Sequence, residues 1–498
     1  MREMCQPKDD SDQNQKNNGE SPRTSIDSPR RKFLKTAGIG AAAATVSPTL
    51  LATSSKSAMT ATDNGYDVIV IGGGFAGVTA ARDISMRGHR AVILEARPRL
   101  GGRTFTSRFA GHDIDLGGTW FGNSQPFIWT EKMRYGLGLA ESAAANSEQT
   151  VWMDGDNRVV GDGSTYAQIY GSAAEAFYAP TREYLPRAFD PLFRKDFGDL
   201  DETTAAQAID RLDLTQVQKD LLHSFAGING HSFSDKSSYL DQLRWYALGD
   251  YDLWNMWDNL SRYRFAGGTK SLIEKMHADG DFETRLGTVI SEVHQGRDKV
   301  TVTTNRGEKI EARSVVVAVP LNCIHDIKFS PSISKIKLDA SRRGHTGSGT
   351  KVYAQVEGKN PVFMGHGKES MPLCFAWTEY NDALSQVVCG FGLSPSLLDV
   401  NDDEEIQAAF NQYMPRLRIS ESVSYDWNHD PYSKGTWCMY PPGMLTSSLA
   451  ELQRPEGKIF FAGADIANGW RGFIDGAIES GARTATQIDE YLSVGASA

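Results

Sequence analysis

Residues Tyr66 to Arg97 read Y-D-V-I-V-I-G-G-G-F-A-G-V-T-A-A-R-D-I-S-M-R-G-H-R-A-V-I-L-E-A-R. The apolar run that ends in glycine reads as a buried parallel strand, the Ala-rich stretch after it as a helix, and A-V-I-L as a second strand. Gly72, Gly74 and Gly77 fit G-x-G-x-x-G at the junction of strand and helix. That spacing gives a tight turn, lets the backbone approach a pyrophosphate, and presents a helix N-terminus to its charge. Glu95 closes the second strand, where a carboxylate can accept hydrogen bonds from ribose hydroxyls. The unit therefore predicts a dinucleotide site in an α/β fold, and by itself leaves NAD and FAD open.

The rest of the chain bounds the function around this unit. Its 498 residues exceed one simple core, so two or three structural units with room for a large cofactor are expected. A net charge of -10 argues against nucleic acid or an anionic membrane as the main partner and favours a small molecule. The ten histidines show no i, i+4 pairing or cysteine clusters, so no catalytic metal is expected. Cys323, Cys374, Cys389 and Cys438 each sit among apolar or aromatic residues and read as buried small hydrophobes.

The first 27 or so residues are polar and predict disorder. Ser28 to Lys35, S-P-R-R-K-F-L-K, then precedes a weakly apolar Ala/Gly/Thr run broken by Pro48. This resembles a twin-arginine signal with Arg30 and Arg31 as its pair, so export to the periplasm as a folded holoprotein is expected, without stable membrane insertion.

Past Glu95 the chain reads E-A-R-P-R-L-G-G-R-T-F-T and then D-L-G-G-T-W-F-G, Asp115 to Gly122. Further on come R-Y-R-F-A-G-G-T-K-S-L (Arg262 to Leu272) and I-F-F-A-G-A-D-I-A-N-G-W-R-G-F-I-D-G-A-I-E-S-G (Ile459 to Gly481). In the last of these Ile459-Phe460-Phe461 reads as a short buried strand, Gly463 as a close backbone approach and Asp475-Gly476-Ala477 as a helix start. Together the segments resemble the flavin-dependent amine oxidase family over nearly the whole chain after residue 64. The resemblance implies a Rossmann-like FAD-binding domain with an inserted mixed helix/sheet substrate domain. The expected boundaries are 64–125, 262–335 and 455–495 for the first, 126–261 and 336–454 for the second, and 1–63 for the tail, signal and linker. It also implies FAD as the cofactor. Phe75, Ala76, Ala96, Arg97, Gly102, Arg103, Gly117, Gly118, Thr119, Trp120, Val289, Ala464, Asp465, Ile474, Asp475 and Ala477 would join Gly72, Gly74, Gly77, Glu95 and Gly463 around it. Between these segments V-T-V-T-T-N-R-G-E-K-I-E-A predicts a hairpin turning at Asn305-Arg306-Gly307, followed by a buried strand over Ser314 to Pro320.

By the same resemblance S-K-G-T-W-C-M-Y-P-P-G, Ser433 to Gly443, carries the substrate wall. Aligned on S-x-G, Thr436 stands where some members attach the flavin through cysteine, so FAD held without a covalent bond is expected. Trp437 and Phe473 would be the facing rings of the amine slot, and Lys351 would hold a water at flavin N5. Hydride transfer from the carbon next to nitrogen then gives an imine that water hydrolyses. R-T-F-T-S-R-F-A-G, V-P-L-N and N-G-W-x-x-x-I-D-G-A are similar to the bacterial nicotine-degrading branch, whose nicotine enzyme has asparagine where Phe473 stands. That points to pseudooxynicotine as the amine, with nicotine or another monoamine or polyamine as alternatives. A flavin desaturase or isomerase, or a non-catalytic flavin-binding scaffold, is the reading of another class. Aromatics placed to hold a pyridine are Trp120, Trp245, Tyr246, Tyr251, Trp254, Phe375 and Trp377. Oxygen or a periplasmic cytochrome would accept the electrons, and a homodimer is left open.

Overall fold

The computed structural model describes residues 65–495, apart from residue 384. The twin-arginine segment lies outside the described residues.

Tyr66–Ile71 is the strand predicted from its apolar run, and four of its six residues are buried. It pairs in parallel with Ala91–Leu94 on one side and with Lys309–Val317 on the other. Between the first two runs the helix Phe75–Met86, completing the βαβ unit. Eight strands make up this sheet. Lys328–Ser330, Ile290–Gln295, Val300–Thr304 and Lys309–Val317 lie to one side of the first strand. Ala91–Leu94 and Glu283–Arg285 lie to the other, and Ile459–Phe461 adds in parallel to Lys309–Val317. Val300–Thr304 and Lys309–Val317 form the expected hairpin in register Val300 to Ala312, and Gly307 supplies its turn with φ 83°.

The second sheet has seven strands, running Ile419–Ser424, Thr350–Val356, Gln386–Gly392, Phe375–Asn381, Phe363–His366, Gln149–Asp154 and Asn157–Gly161 in spatial order. Only the Phe363–His366 and Gln149–Asp154 pair is parallel. The chain therefore visits the first sheet over 66–94, the second over 149–161, the first over 283–330, the second over 350–424, and returns to the first at 459–461.

Backbone contact between helices fixes the end of the chain. A β-carbon on Gly481, in the helix Ile474–Gly495, would stand 2.4 Å from the Ala76 carbonyl oxygen. Only glycine lets that helix lie so close along Phe75–Met86, which brings both helix starts to the carboxyl ends of the parallel strands. In an α/β sheet that is where ligands bind. Among the described residues no helix is long and apolar enough to cross a membrane.

Candidate functional site

A cavity of about 690 Å³ opens at those strand ends and extends beneath the second sheet. Its floor is glycine. Gly72 has φ +108°, and a β-carbon there would stand 2.6 Å from the Ala318 carbonyl oxygen. Gly74 is the N-cap of Phe75–Met86 with no side-chain cap, so the helix's first N–H groups stay open to an anion. Gly102, at φ +59°, crosses Gly74 so closely that its β-carbon would lie 3.3 Å from the Gly74 Cα. Gly77 faces the strand instead: a β-carbon there would sit 2.0 Å from the Gly72 carbonyl oxygen, so it sets the helix against the turn. Glu95 accepts from the Gly73 N–H at 2.5 Å and the Arg97 N–H at 2.8 Å, which holds its carboxylate at the cavity edge. Bare backbone, an open helix N-terminus and a fixed carboxylate at the strand end fit a dinucleotide cofactor.

The arginines predicted to contact the cofactor also tie the cradle to the wall. Arg97 pairs with Asp430 at 2.6 Å and donates to Ser433 at 2.8 Å, holding the segment that leads into Thr436. Arg103 donates to the Thr436 carbonyl at 2.8 Å and pairs with Asp465 at 2.6 Å. Asp465 in turn accepts from the Leu321 N–H, and the Arg103 guanidinium helps hold its carboxyl below the usual range against its burial. Asp465 thus stands behind the wall. Asp475 is also turned away. It accepts from the Phe127 and Ile128 N–H groups at 2.7 and 2.9 Å, capping the helix Pro126–Arg134, and burial pushes its carboxyl up to about 7.

The wall itself is aromatic. Lys351, Phe391 and Phe375 are direct cross-strand partners in the second sheet, so their side chains share one face. Lys351 is 7% exposed and donates to the Asp115 carbonyl at 2.7 Å, the Gly117 carbonyl at 3.0 Å and the Thr119 hydroxyl at 2.7 Å. Its three protons are committed, so a water held by this lysine takes the place of one of these acceptors. Burial lowers it to about 8.

Trp437 lines the cavity, its indole N–H donating to the Asn229 carbonyl at 2.8 Å. Its ring stacks on His231 with centroids 3.7 Å apart and planes within 2°. His231 follows the helix Gln216–Gly230 in left-handed conformation, φ 47°. Its Nε2 faces the Thr350 carbonyl and its Nδ1 the Thr436 hydroxyl at 2.7 Å. A carbonyl only accepts, so Nε2 carries the proton and Nδ1 accepts from Thr436. Burial pushes the imidazole down to about 3, so it is neutral.

Phe473 reaches the same cavity from the other segment, edge-on to Trp245 at 4.9 Å and to Trp470 at 5.2 Å. Gly472 explains how the two segments meet: with φ +89°, its β-carbon would lie 2.6 Å from the Cys438 carbonyl oxygen. Backbone rests on backbone one residue away from each ring. Cys438 itself is 0% exposed, and burial raises its thiol well above the ordinary value. With that thiol inert and the Thr436 hydroxyl spent on His231, acid precipitation is expected to release all the flavin into the supernatant. A yellow pellet would contradict it.

Of the predicted residues, Gly77, Asp465, Asp475, Tyr246 and Tyr251 do not line the cavity, and the others do. Tyr246 stacks on Tyr178 at 4.6 Å, and Tyr251 donates to the Leu185 carbonyl, so both rings serve helix packing. Trp120, Trp254, Phe375 and Trp377 are at the cavity, Trp254 at its exposed edge. Sequence reasoning missed Phe391, His231 and Asn229, which no motif marks. Strand register places the first, a left-handed helix end the second and a backbone carbonyl the third.

Comparison with known proteins agrees with this geometry. A family model described as flavin containing amine oxidoreductase matches residues 75–489. A pseudooxynicotine dehydrogenase from Pseudomonas sp is 40% identical over 477 residues, 93% of this chain and 96% of that one. A nicotine dehydrogenase from Pseudomonas putida is 35% identical over 97% of this chain and 100% of that one. The cyclohexylamine oxidase of Brevibacterium oxydans has the same fold, with a TM-score of 0.74 at 20% identity over 86% of this chain and 100% of that one. The chain belongs to the flavin-containing amine oxidoreductases, and its cofactor is FAD.

Proposed function

We propose that this enzyme oxidises pseudooxynicotine, a secondary N-methylamine with a pyridyl ketone, to 3-succinoylsemialdehyde-pyridine and methylamine. The observation that supports the reading is that Trp437 and Phe473 line the same cavity as the glycine cradle, with the backbones of their neighbours Cys438 and Gly472 in contact. The likeness to pseudooxynicotine dehydrogenase supports the choice of amine. FAD, when bound, supplies the two-electron acceptor for the C–H bond next to nitrogen.

What the chain adds is placement and dryness. The rings of Trp437 and Phe473 flank the amine and exclude water, leaving a narrow range of approach. Neutral His231 has both ring nitrogens engaged and takes no proton from the amine. No dedicated base is required when the amine enters in its neutral form. The imine product leaves the slot and is hydrolysed by water to the aldehyde and methylamine.

Anaerobic mixing with a panel of amines tests this through the loss of flavin colour. Pseudooxynicotine is expected to bleach fastest, and Phe473→Asn to move the preference toward nicotine. Faster bleaching by an unrelated monoamine, with pseudooxynicotine inert, would refute the choice of substrate. Reoxidation in aerated buffer against added cytochrome c then identifies the electron acceptor.

The reading includes export by the twin-arginine route, on the strength of Arg30 and Arg31 ahead of the weakly apolar run. Changing both to lysine is expected to leave active enzyme in the cytoplasm. Undiminished periplasmic activity would overturn it.

A further inference from the structure

The strand Phe375–Asn381 breaks step with Gln386–Gly392 at one place. Thr378 lies opposite Val388 and Tyr380 opposite Val387, so Glu379 has no partner across the ladder. A bulge of this kind re-aims a side chain, and bulges gather beside active sites. Here the re-aimed group is a carboxylate only 1% exposed. Burying it is costly unless both oxygens are engaged, and they are. Oε1 accepts from Arg264 Nε at 2.7 Å, in the strand Tyr263–Phe265, and lies 3.1 Å from the Ser142 hydroxyl. Oε2 accepts from the Trp377 indole N–H at 2.8 Å. Ser142 Oγ in turn accepts from the Trp120 indole N–H at 2.9 Å, with its own proton between Glu379 and the Ser261 carbonyl at 2.8 Å.

The arginine alone would balance the charge. What the remaining bonds hold are two rings of the cavity. Trp120 and Trp377 line it and meet at 5.2 Å with their planes 61° apart. Both pack on Phe391, at 5.8 and 5.4 Å, and Phe391 meets Trp437 edge-on at 5.9 Å. The two indoles therefore stand one ring beyond the amine slot. We propose that Glu379 is a positioning residue for the aromatic end of the substrate: by fixing Trp377 directly and Trp120 through Ser142, it sets the angle of the two ring faces on which that end rests. This rests on the amine reading above and adds the residue that shapes the ring-binding half of the cavity. Hydrogen bonds to a charged acceptor are the stronger ones, and two rings held at a fixed angle receive a third in few orientations. The reacting end is left to Trp437, Phe473 and Lys351, so the effect falls on binding of the ring.

The test uses FAD-loaded enzyme, the pyridyl ketone amine, and N-methylbutylamine, which has the reacting end and no ring. Glu379→Gln keeps the shape, but its amide turns a donor toward Arg264 or toward Trp377. For the ring-bearing amine the concentration that half-saturates anaerobic flavin reduction is expected to rise about tenfold, with the limiting rate within about threefold. N-methylbutylamine should change less than about twofold in kcat/KM. Trp377→Phe, which keeps a ring and leaves Glu379 paired with Arg264, cuts the same bond from the other side. It should reproduce the rise, and it decides the matter if Glu379→Gln fails to fold. In the double variant Glu379→Gln should add less than about twofold to Trp377→Phe. Equal losses on both amines, no loss on the ring-bearing one, or full additivity in the double variant would overturn the proposal. Failure of the substrate reading looks different: the pyridyl ketone amine leaves wild-type flavin oxidised. A pyridyl ketone without an amine, titrated by flavin absorbance, should still bind about tenfold more weakly to the variant, which upholds the role of Glu379; a ketone bound alike by both, or by neither, removes it.

Discussion

Lys351→Met is expected to slow flavin reduction or reoxidation on the order of 100-fold while FAD stays bound. Methionine fills the volume without donors. The Asp115 and Gly117 carbonyls and the Thr119 hydroxyl would lose the ammonium that holds them. The single Thr119 hydroxyl proton can satisfy one of the two carbonyls, and the other is left unpaired at about 1–3 kcal/mol, so the segment 115–119 shifts to find water. Gly117 and Gly118 in that segment line the cavity, and a β-carbon on Gly117 would stand only 2.1 Å from the Arg103 carbonyl oxygen, so little movement is tolerated.

The pH dependence follows from burial. Below about 8 the lysine is an ammonium with three donors, and above it a neutral amine with two. At saturating amine, where the supply of neutral amine no longer limits, the wild-type rate should fall as pH rises through 8, and the methionine variant should lack that limb on the same amine. Stability moves oppositely. The folded value lies below the ordinary 10.5, so the unfolded chain binds more protons between 8 and 10.5. The cost of burying the charge is full below pH 8 and is relieved across that window. Wild-type rates in both half-reactions, with an unchanged profile, would remove Lys351 from the chemistry.

Trp437→Ala is expected to cut the rate of flavin bleaching at saturating amine on the order of 100-fold, with FAD content nearly unchanged. The reason is geometric. The indole is fixed by the stack on His231 and by its bond to the Asn229 carbonyl, so it is a wall with a defined angle. Alanine removes the wall, admits water, and frees the amine to lie in orientations that do not present its C–H bond. Trp437→Phe, which keeps a ring but not the N–H, should recover most of the rate. An alanine variant that bleaches as fast as wild type would make Trp437 a packing residue.

Much of this site was legible because its signals are local. G-x-G-x-x-G between a strand and a helix, Glu95 at the end of the second strand, and the hairpin turning at Gly307 each rest on backbone rules that act within a few residues. Asp475 shows where local reasoning stops. Its place at the start of a helix beside the flavin motif suggests cofactor contact, yet the carboxylate caps Pro126–Arg134, a helix nearly 350 residues earlier in the chain. Tyr246 and Tyr251 fail for a related reason, since only the packing of helices decides which aromatics of a buried helical segment face a cavity.

By itself the sequence determined the strand-turn-helix that receives a dinucleotide, because that depends on residue type at short spacing, while its resemblance to the flavin-dependent amine oxidases implied FAD and pointed to Trp437 and Phe473. Tertiary structure alone decided that Phe391 stands beside Lys351 and that a neutral His231 backs Trp437. These depend on strand register and on contacts between segments hundreds of residues apart, where hydrogen bonds and excluded volume act through space and leave no period in the chain.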